Sequence, residues 1–114
     1  MKRQLRNTVI AAFIGCVTIG TTGLVYADPP PAEQIITLKA FAFTPAAIAV
    51  RAGTIVTWRN LDEEPHTVVS STGAFRSDAL DQNDSFSFKF DEPGEYAFIC
   101  SIHPHMRGTI IVTK

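Results

Sequence analysis

Between residues 34 and 113 the chain is a series of short β-type runs separated by turn residues, with no useful length of helical periodicity. In the run Ser85–Phe90, polar residues alternate strictly with three phenylalanines, which places the aromatic rings on one face of a strand. Seven such runs predict an all-β fold, a β-sandwich of one domain. The runs are residues 34–39, 46–50, 54–60, 66–70, 85–90, 96–100 and 109–113.

The large apolar residues of these runs predict a single hydrophobic core. Tyr96 follows the turn Pro93-Gly94 and resembles the tyrosine corner of Greek-key sandwiches. Residues 71–84 lack alternation, so we expect an irregular loop along one edge, with a helical turn near residues 77–80. The residues predicted to point inward are Val56, Trp58, Phe86, Phe88, Phe90, Tyr96, Phe98 and Ile111.

The first 27 residues have the layout of a secretory signal peptide. Three basic residues within the first six positions precede an uncharged apolar run, and small residues around Ala27 offer a cleavage site. Glycines and threonines interrupt the run, which is too weakly apolar for a permanent membrane span. We therefore expect residues 28–114 to be an exported, periplasmic domain with no stable membrane insertion. In an alternative, Cys16 is lipidated and tethers the domain to a membrane.

Charge and cysteine content limit what the exported domain does. Three of the 10 Lys and Arg residues lie in the signal segment and all 11 Asp and Glu follow it, so residues 28–114 carry a formal net charge of −4. This charge disfavours nucleic acid as a partner. Cys100 is the one cysteine left after cleavage, in a compartment where cysteines normally pair as disulfides. An unpaired thiol there needs a chemical role.

The motif around this thiol has the spacing of metal ligands. Strand parity puts Cys100 on the same side as Phe98, so its sulfur points inward at the end of a strand. Cys100, His103 and Met106 then follow one another at three-residue intervals on a short loop, and His66 begins a neighbouring run. Two imidazoles and a thiolate with a weak thioether are the ligands of blue-copper electron-transfer sites. The spacing therefore predicts one copper ion held by these four residues.

The motifs also resemble those of the cupredoxin family, in particular its amicyanin and plastocyanin type. The resemblance covers nearly all of residues 28–114, from Val50-x-Ala52-Gly53-Thr54-x-Val56-x-Trp58 through Pro65-His66 to Cys100-x-x-His103-Pro104-x-Met106-Arg107-Gly108. It implies an eight-strand Greek-key sandwich with copper at one end, a buried His66, and His103 at the surface as the exit for the electron. It also implies a monomeric type 1 copper protein that exchanges electrons with redox partner proteins.

Several neighbours of the predicted ligands have expected positions. The backbone N–H of Thr67 is expected to approach the sulfur of Cys100. Asn60 is expected to bond across to Ser101 and hold the two ligand loops together. The carboxylates at 62–64 are expected to form a solvated surface. His105 is expected to be exposed.

Three other functions use some of the same residues. Copper storage or delivery needs the same ligands in an exchangeable site. A small oxidase or nitrite reductase is disfavoured, because the chain has three histidines and two are used by the predicted site. A structural zinc site suits cysteine and histidine but not methionine, since zinc prefers a harder fourth ligand.

Overall fold

The computed structural model describes residues 29–114 together with Gly15, Gly20 and Gly23. The predicted signal segment 1–27, its cleavage site and the lipidation alternative at Cys16 otherwise lie outside the described residues. Among the residues that are described, no helix is long and apolar enough to cross a membrane. The strands are β1 Glu33–Lys39, β2 Ala42–Thr44, β3 Ala47–Arg51, β4 Thr54–Asn60, β5 Val69–Ser70, β6 Ser85–Phe90, β7 Gly94–Ile99 and β8 Arg107–Thr113.

The strands form two four-stranded sheets, which confirms the predicted sandwich. One sheet has the order β2-β1-β4-β6 and the other the order β3-β8-β7-β5. The chain changes sheet at every connection from β2 to β7. β1 and β4 pair in parallel, as do β3 and β8, so both sheets are mixed. These crossovers bring the β4–β5 connection and the β7–β8 loop to the same end of the sandwich.

The core between the sheets is aromatic and largely as predicted. Trp58 and Phe98 are fully buried and their rings meet at 5.4 Å in a T-shaped contact. The three phenylalanines of β6 all pack against the core, with Phe90 the most deeply buried. The Tyr96 hydroxyl donates a hydrogen bond of 2.7 Å to the Glu92 carbonyl, which fits the tyrosine corner inferred from the sequence.

The prediction for Ile111 is wrong, because its side chain points outward and is 46% exposed. Ile110 and Val112 fill the inward positions of β8 instead. Three apolar residues in a row do not reveal which parity faces the core, so alternation alone could not settle this strand.

Two predictions for the β4–β6 region are also wrong. The run 66–70 pairs as a strand only at Val69–Ser70, and residues 77–80 form no helical turn. His66 instead pairs with Leu80 in an isolated antiparallel bridge. The Ser77 N–H donates to the Val68 carbonyl at 2.8 Å, so the segment folds back along residues 66–69. Its backbone groups are used in this irregular pairing and are not free to close a helical turn.

Candidate metal centre

The four predicted ligands are placed by the β4–β5 connection and by the β7–β8 loop. Cys100 directly follows β7 and is fully buried. Its N–H donates to the Met106 carbonyl at 3.1 Å, and the Met106 N–H donates to the His103 carbonyl at 2.9 Å. These two bonds close the loop on itself. His66 is held from the other side by paired backbone bonds with Leu80, at 3.1 and 2.7 Å.

Three donor atoms meet in a compact triangle at this end of the sandwich. Nδ1 of His66 lies 3.1 Å from Nδ1 of His103, and each nitrogen lies 3.8 Å from Sγ of Cys100. The centre of a triangle with these sides is about 2.1 Å from each corner, and such ligand atoms bind transition metals at roughly 2.0–2.3 Å. The structure thus brings the two imidazoles and the thiol together at the right spacing for one ion.

Met106 belongs to the same loop as Cys100 and His103, and its side chain is buried in the core. It is the last residue of the closed loop, and only 2% of its surface is exposed. Its predicted place as a fourth, axial ligand stays a prediction. Burial of a methionine within a polar ligand loop fits that role, because a thioether satisfies a soft metal and needs no hydrogen bond of its own.

The surroundings of Cys100 favour the thiolate. Burial of the sulfur opposes ionisation, but hydrogen bonds from the backbone N–H groups of Thr67 and His103 and from the two imidazoles outweigh it. Together they lower the pKa of the thiol from 9.0 to about 6. The Thr67 N–H lies 3.4 Å from the sulfur, which confirms the approach expected from the sequence. The thiolate is the form that binds a metal.

The ligand loops are joined by a different residue from the one predicted. Asn60 does not reach Ser101; its amide nitrogen donates to the carbonyls of Glu64 and Leu80, both at 2.8 Å. Asn60 therefore shapes the β4–β5 connection from within. Thr67 makes the cross-link, since its hydroxyl accepts the Ser101 N–H and bonds the Ser101 hydroxyl, both at 2.8 Å.

Asp62 is part of the site, contrary to the prediction that the carboxylates at 62–64 are solvated. Its Oδ2 lies 2.8 Å from Nε2 of His66, the ring nitrogen on the far side from the triangle. The same carboxylate accepts the backbone N–H groups of Ala40 and Phe41 at 2.8 and 3.0 Å. Burial opposes ionisation of Asp62, but the hydrogen bonds from Phe41, His66 and Ala40 outweigh it and hold the pKa of the carboxyl below its usual value.

Phe41 covers the outer side of the two imidazoles. Its ring meets the ring of His66 at 5.4 Å and that of His103 at 4.9 Å, edge to face in both cases. The residue is 38% exposed, and it follows Ala40 in a turn where both backbones have positive φ, 51° and 57°. A bulky residue in this conformation is uncommon, and such outliers gather at functional sites.

The chain matches the family description "Cupredoxin-like domain" over residues 9–112. The chain belongs to the cupredoxin-like family. Among curated relatives, amicyanin-alpha of Methylorubrum extorquens is 29% identical over 109 residues, which span 90% of this chain and 92% of the relative. The cupredoxin resemblance drawn from the motifs is therefore confirmed.

Solved structures give the same assignment. The crystal structure of amicyanin from Paracoccus versutus superposes with a TM-score of 0.68 at 27% identity, covering 75% of this chain and 86% of that one. A Cu-containing nitrite reductase from Thermus scotoductus SA-01 also superposes with a TM-score of 0.68 at 28% identity. That match covers 77% of this cupredoxin but only 23% of the reductase chain, so the likeness is to one part of a larger protein.

Sequence reasoning named the three residues whose donor atoms meet in the triangle, but it missed Asp62 and Phe41. Asp62 stands four residues before His66 in a run of three carboxylates, and nothing in that run distinguishes it from Glu63 and Glu64. A carboxylate at short spacing before a histidine ligand is the signal that could have found it, because metal-bound histidines commonly donate their second N–H to a carboxylate.

Proposed function

We propose that residues 28–114, after export to the periplasm and removal of residues 1–27, act as a monomeric type 1 copper electron carrier. His66, Cys100, His103 and Met106 are the proposed ligands. The observation that carries the proposal is the triangle of two Nδ1 atoms and one Sγ, with separations of 3.1 and 3.8 Å. Copper, when bound there, supplies a one-electron couple between Cu(I) and Cu(II).

The donor set favours copper over zinc. A lowered pKa makes Cys100 a ready thiolate, and soft sulfur donors suit Cu(I) while imidazoles suit both oxidation states. A buried methionine in the ligand loop has no role in a structural zinc site, where cysteine and histidine normally complete the tetrahedron. The structural likeness to a Cu-containing nitrite reductase supports the same metal.

The two histidines of the site have different roles in the proposed electron transfer. His66 is fully buried and anchored by backbone bonds to Leu80, so it resists rearrangement when the charge at the centre changes. His103 is half-buried and flanked by Ile102, which is 47% exposed. An edge of this imidazole therefore lies near the surface, where a redox partner protein can approach it. The apolar neighbours allow close contact without a large desolvation cost.

The arrangement offers an electron path and not a substrate site. His66, which is buried, and His103, which is half-buried, each supply one corner of the triangle. The third histidine, His105, is exposed, and its ring lies 6.3 Å from that of His103. No second cluster of three metal-binding groups lies within residues 29–114. The proposal is thus a carrier that exchanges single electrons with a donor and an acceptor protein, and not an enzyme.

The test is the visible and electron paramagnetic resonance spectrum of residues 28–114 with one equivalent of Cu(II). An intense blue band with narrow copper hyperfine splitting, lost and regained on reduction and reoxidation, is the expected result. Cys100→Ser should abolish the band while the sandwich stays folded, because the band arises from thiolate-to-copper charge transfer. A pale spectrum with broad splitting would contradict the proposal. Rapid copper loss to a chelator from a blue protein would favour copper delivery instead.

A further inference from the structure

The carboxylate of Asp62 connects the proposed ligand His66 to the turn formed by Ala40 and Phe41. Its side chain is 12% exposed and that of His66 is fully buried, so the contact between them is shielded from water. Oδ2 accepts from Nε2 of His66 and from the N–H of Phe41, while Oδ1 accepts the N–H of Ala40. The N–H of Asp62 itself donates to Asn60 at 2.9 Å, which fixes the carboxylate from behind.

The contact with His66 fixes which ring nitrogen faces the centre. A carboxylate is an acceptor only, so Nε2 must carry the proton that it shares with Asp62. Nδ1 then faces the triangle and offers its lone pair when a metal ion displaces the proton that this nitrogen shares with the Cys100 sulfur. The bond also prevents the imidazole from turning about its Cβ–Cγ axis, because rotation would break a buried contact.

The two backbone contacts hold Phe41 in place over both imidazoles. Ala40 and Phe41 adopt left-handed backbone conformations that non-glycine residues avoid, and both N–H groups point at Asp62. No backbone partner replaces Asp62 for either of these groups within residues 29–114. Without the carboxylate, no hydrogen bond offsets the energetic cost of the left-handed backbone at Ala40 and Phe41. The turn should then relax, and the Phe41 ring should move away from His66 and His103.

We propose that Asp62 is a positioning residue of the metal centre, which orients His66 and seats Phe41 as a cover over both imidazoles. The inference rests on the proposed copper site. It implies that a negative charge sits behind His66 and stabilises Cu(II) relative to Cu(I). It also implies that Phe41 limits the access of water and chelators to the centre.

Metal-free protein gives a first test that does not depend on copper. In the nuclear magnetic resonance spectrum of wild-type residues 28–114, we expect a downfield, slowly exchanging ring N–H resonance from His66 and protected amide protons at Ala40 and Phe41. Asp62→Ala should abolish the ring resonance and the protection. Glu63→Ala is the matched control, since it removes an adjacent exposed carboxylate and leaves the bond between Asp62 and His66 in place. Persistence of these signals in Asp62→Ala would overturn the proposal.

Copper-loaded protein gives the second test. The rate of copper loss to an excess of a Cu(I) or Cu(II) chelator should rise at least about tenfold in Asp62→Ala, because removing the hydrogen-bond partner of a metal-bound histidine typically weakens metal affinity by about 10–100-fold. Glu63→Ala should change it by less than about twofold. The reduction potential should rise in both variants, and more in Asp62→Ala. Equal rates of copper loss and equal potentials in the two variants would show that losing any nearby carboxylate charge has the same effect. That result would overturn the proposal.

A folding defect is separated from a positioning defect by a double variant. Ala40→Gly removes the side chain that disfavours a left-handed backbone. In Ala40→Gly/Asp62→Ala the turn can therefore still form, although the Asp62 carboxylate that accepts its N–H groups is gone. Near-ultraviolet circular dichroism checks that the core is native. Fast copper loss in a native-like double variant would support the proposal, and wild-type retention there would overturn it. A wild-type protein without a type 1 spectrum would instead reject the proposed function, whatever the metal-free resonances show.

Discussion

At the scale of single residues, Cys100 and its neighbours show how a reactive thiol is kept in a folded core. A buried thiolate is costly unless hydrogen bonds or a cation compensate for the loss of water. Here the N–H of Thr67 and the two imidazole nitrogens lie within 3.4–3.8 Å of the sulfur before any metal arrives. The site is therefore prepared for a metal ion by contacts within the protein.

Met106 allows a direct test of axial ligation at this scale. Met106→Gln places a harder oxygen donor on the axis and should lower the reduction potential, because the oxygen stabilises Cu(II). We expect a change of at least about 59 mV, a tenfold change in the one-electron equilibrium constant. Redox titration of the blue band provides the measurement.

Met106→Leu is the matched control for packing. Its volume is similar, but it donates nothing to the metal, so the potential should rise above that of the wild type. Shifts in the same direction for both variants would point to altered packing of the buried side chain, and would exclude an axial role for Met106.

At the scale of elements, the close packing of β7 against β8 depends on Gly108. This residue lies on the inward face of β8, opposite Phe98 in the antiparallel register. A Cβ added at Gly108 would come within 2.2 Å of the Phe98 ring and 2.8 Å of the Ala46 carbonyl oxygen. The ring is held by a T-shaped contact with Phe43 at 4.8 Å, and the carbonyl accepts the N–H of Thr109. Neither neighbour is free to move aside.

Gly108→Ala should accordingly destabilise the domain by about 1–3 kcal/mol, the usual cost of overpacking a core. Urea unfolding followed by Trp58 fluorescence measures the change. Ile111→Val, on the outward face of the same strand, is the control and should shift the free energy of unfolding by less than about 0.5 kcal/mol. A tolerated Gly108→Ala would mean that β7 and β8 do not pack in this register.

The sequence predicted the long elements well and the short ones poorly. β6 has a strict two-residue alternation, and its three phenylalanines face the core as expected. β2 has only three residues, too few for any periodicity, and it follows two left-handed residues that are not glycine. Nothing local in Ala40 and Phe41 signals that conformation. It depends on Asp62, which is 21 and 22 residues away along the chain.

At the scale of the whole molecule, the site is assembled by contacts of very different sequence separation. Cys100, His103 and Met106 lie on one seven-residue loop, so their spacing alone predicted that they act together. His66 joins them because β5 pairs with β7, a contact that was inferred from chemistry and family resemblance and not from local pattern. Asn60 was assigned the wrong partner, because its amide is used by two backbone carbonyls, Glu64 in the β4–β5 connection and Leu80 in the β5–β6 connection. Local motifs thus named the candidate ligands, and only tertiary packing revealed the residues that support them.

The stability of the metal-free domain should depend on pH through Cys100. The thiol has a pKa of about 6 in the folded protein against 9.0 for an ordinary cysteine, so between these values the unfolded chain binds the extra proton. The free energy of unfolding should therefore rise with pH from about 6 to about 9, by at most about 1.4 kcal/mol per pH unit. The contribution is complete above pH 9 and is lost as the pH falls through 6.

Urea unfolding of metal-free wild type and Cys100→Ser at several pH values, under reducing conditions, measures this dependence. The informative quantity is the difference between the two proteins at each pH, because contributions from ionisable groups other than Cys100 largely cancel in it. That difference should grow in favour of the wild type as the pH rises from 6 to 9, because serine has no ionisable group there. Parallel profiles would mean that the sulfur stays protonated in the folded domain. In that case binding of copper would itself have to displace the proton, and metal affinity should then weaken steeply as the pH falls below 9.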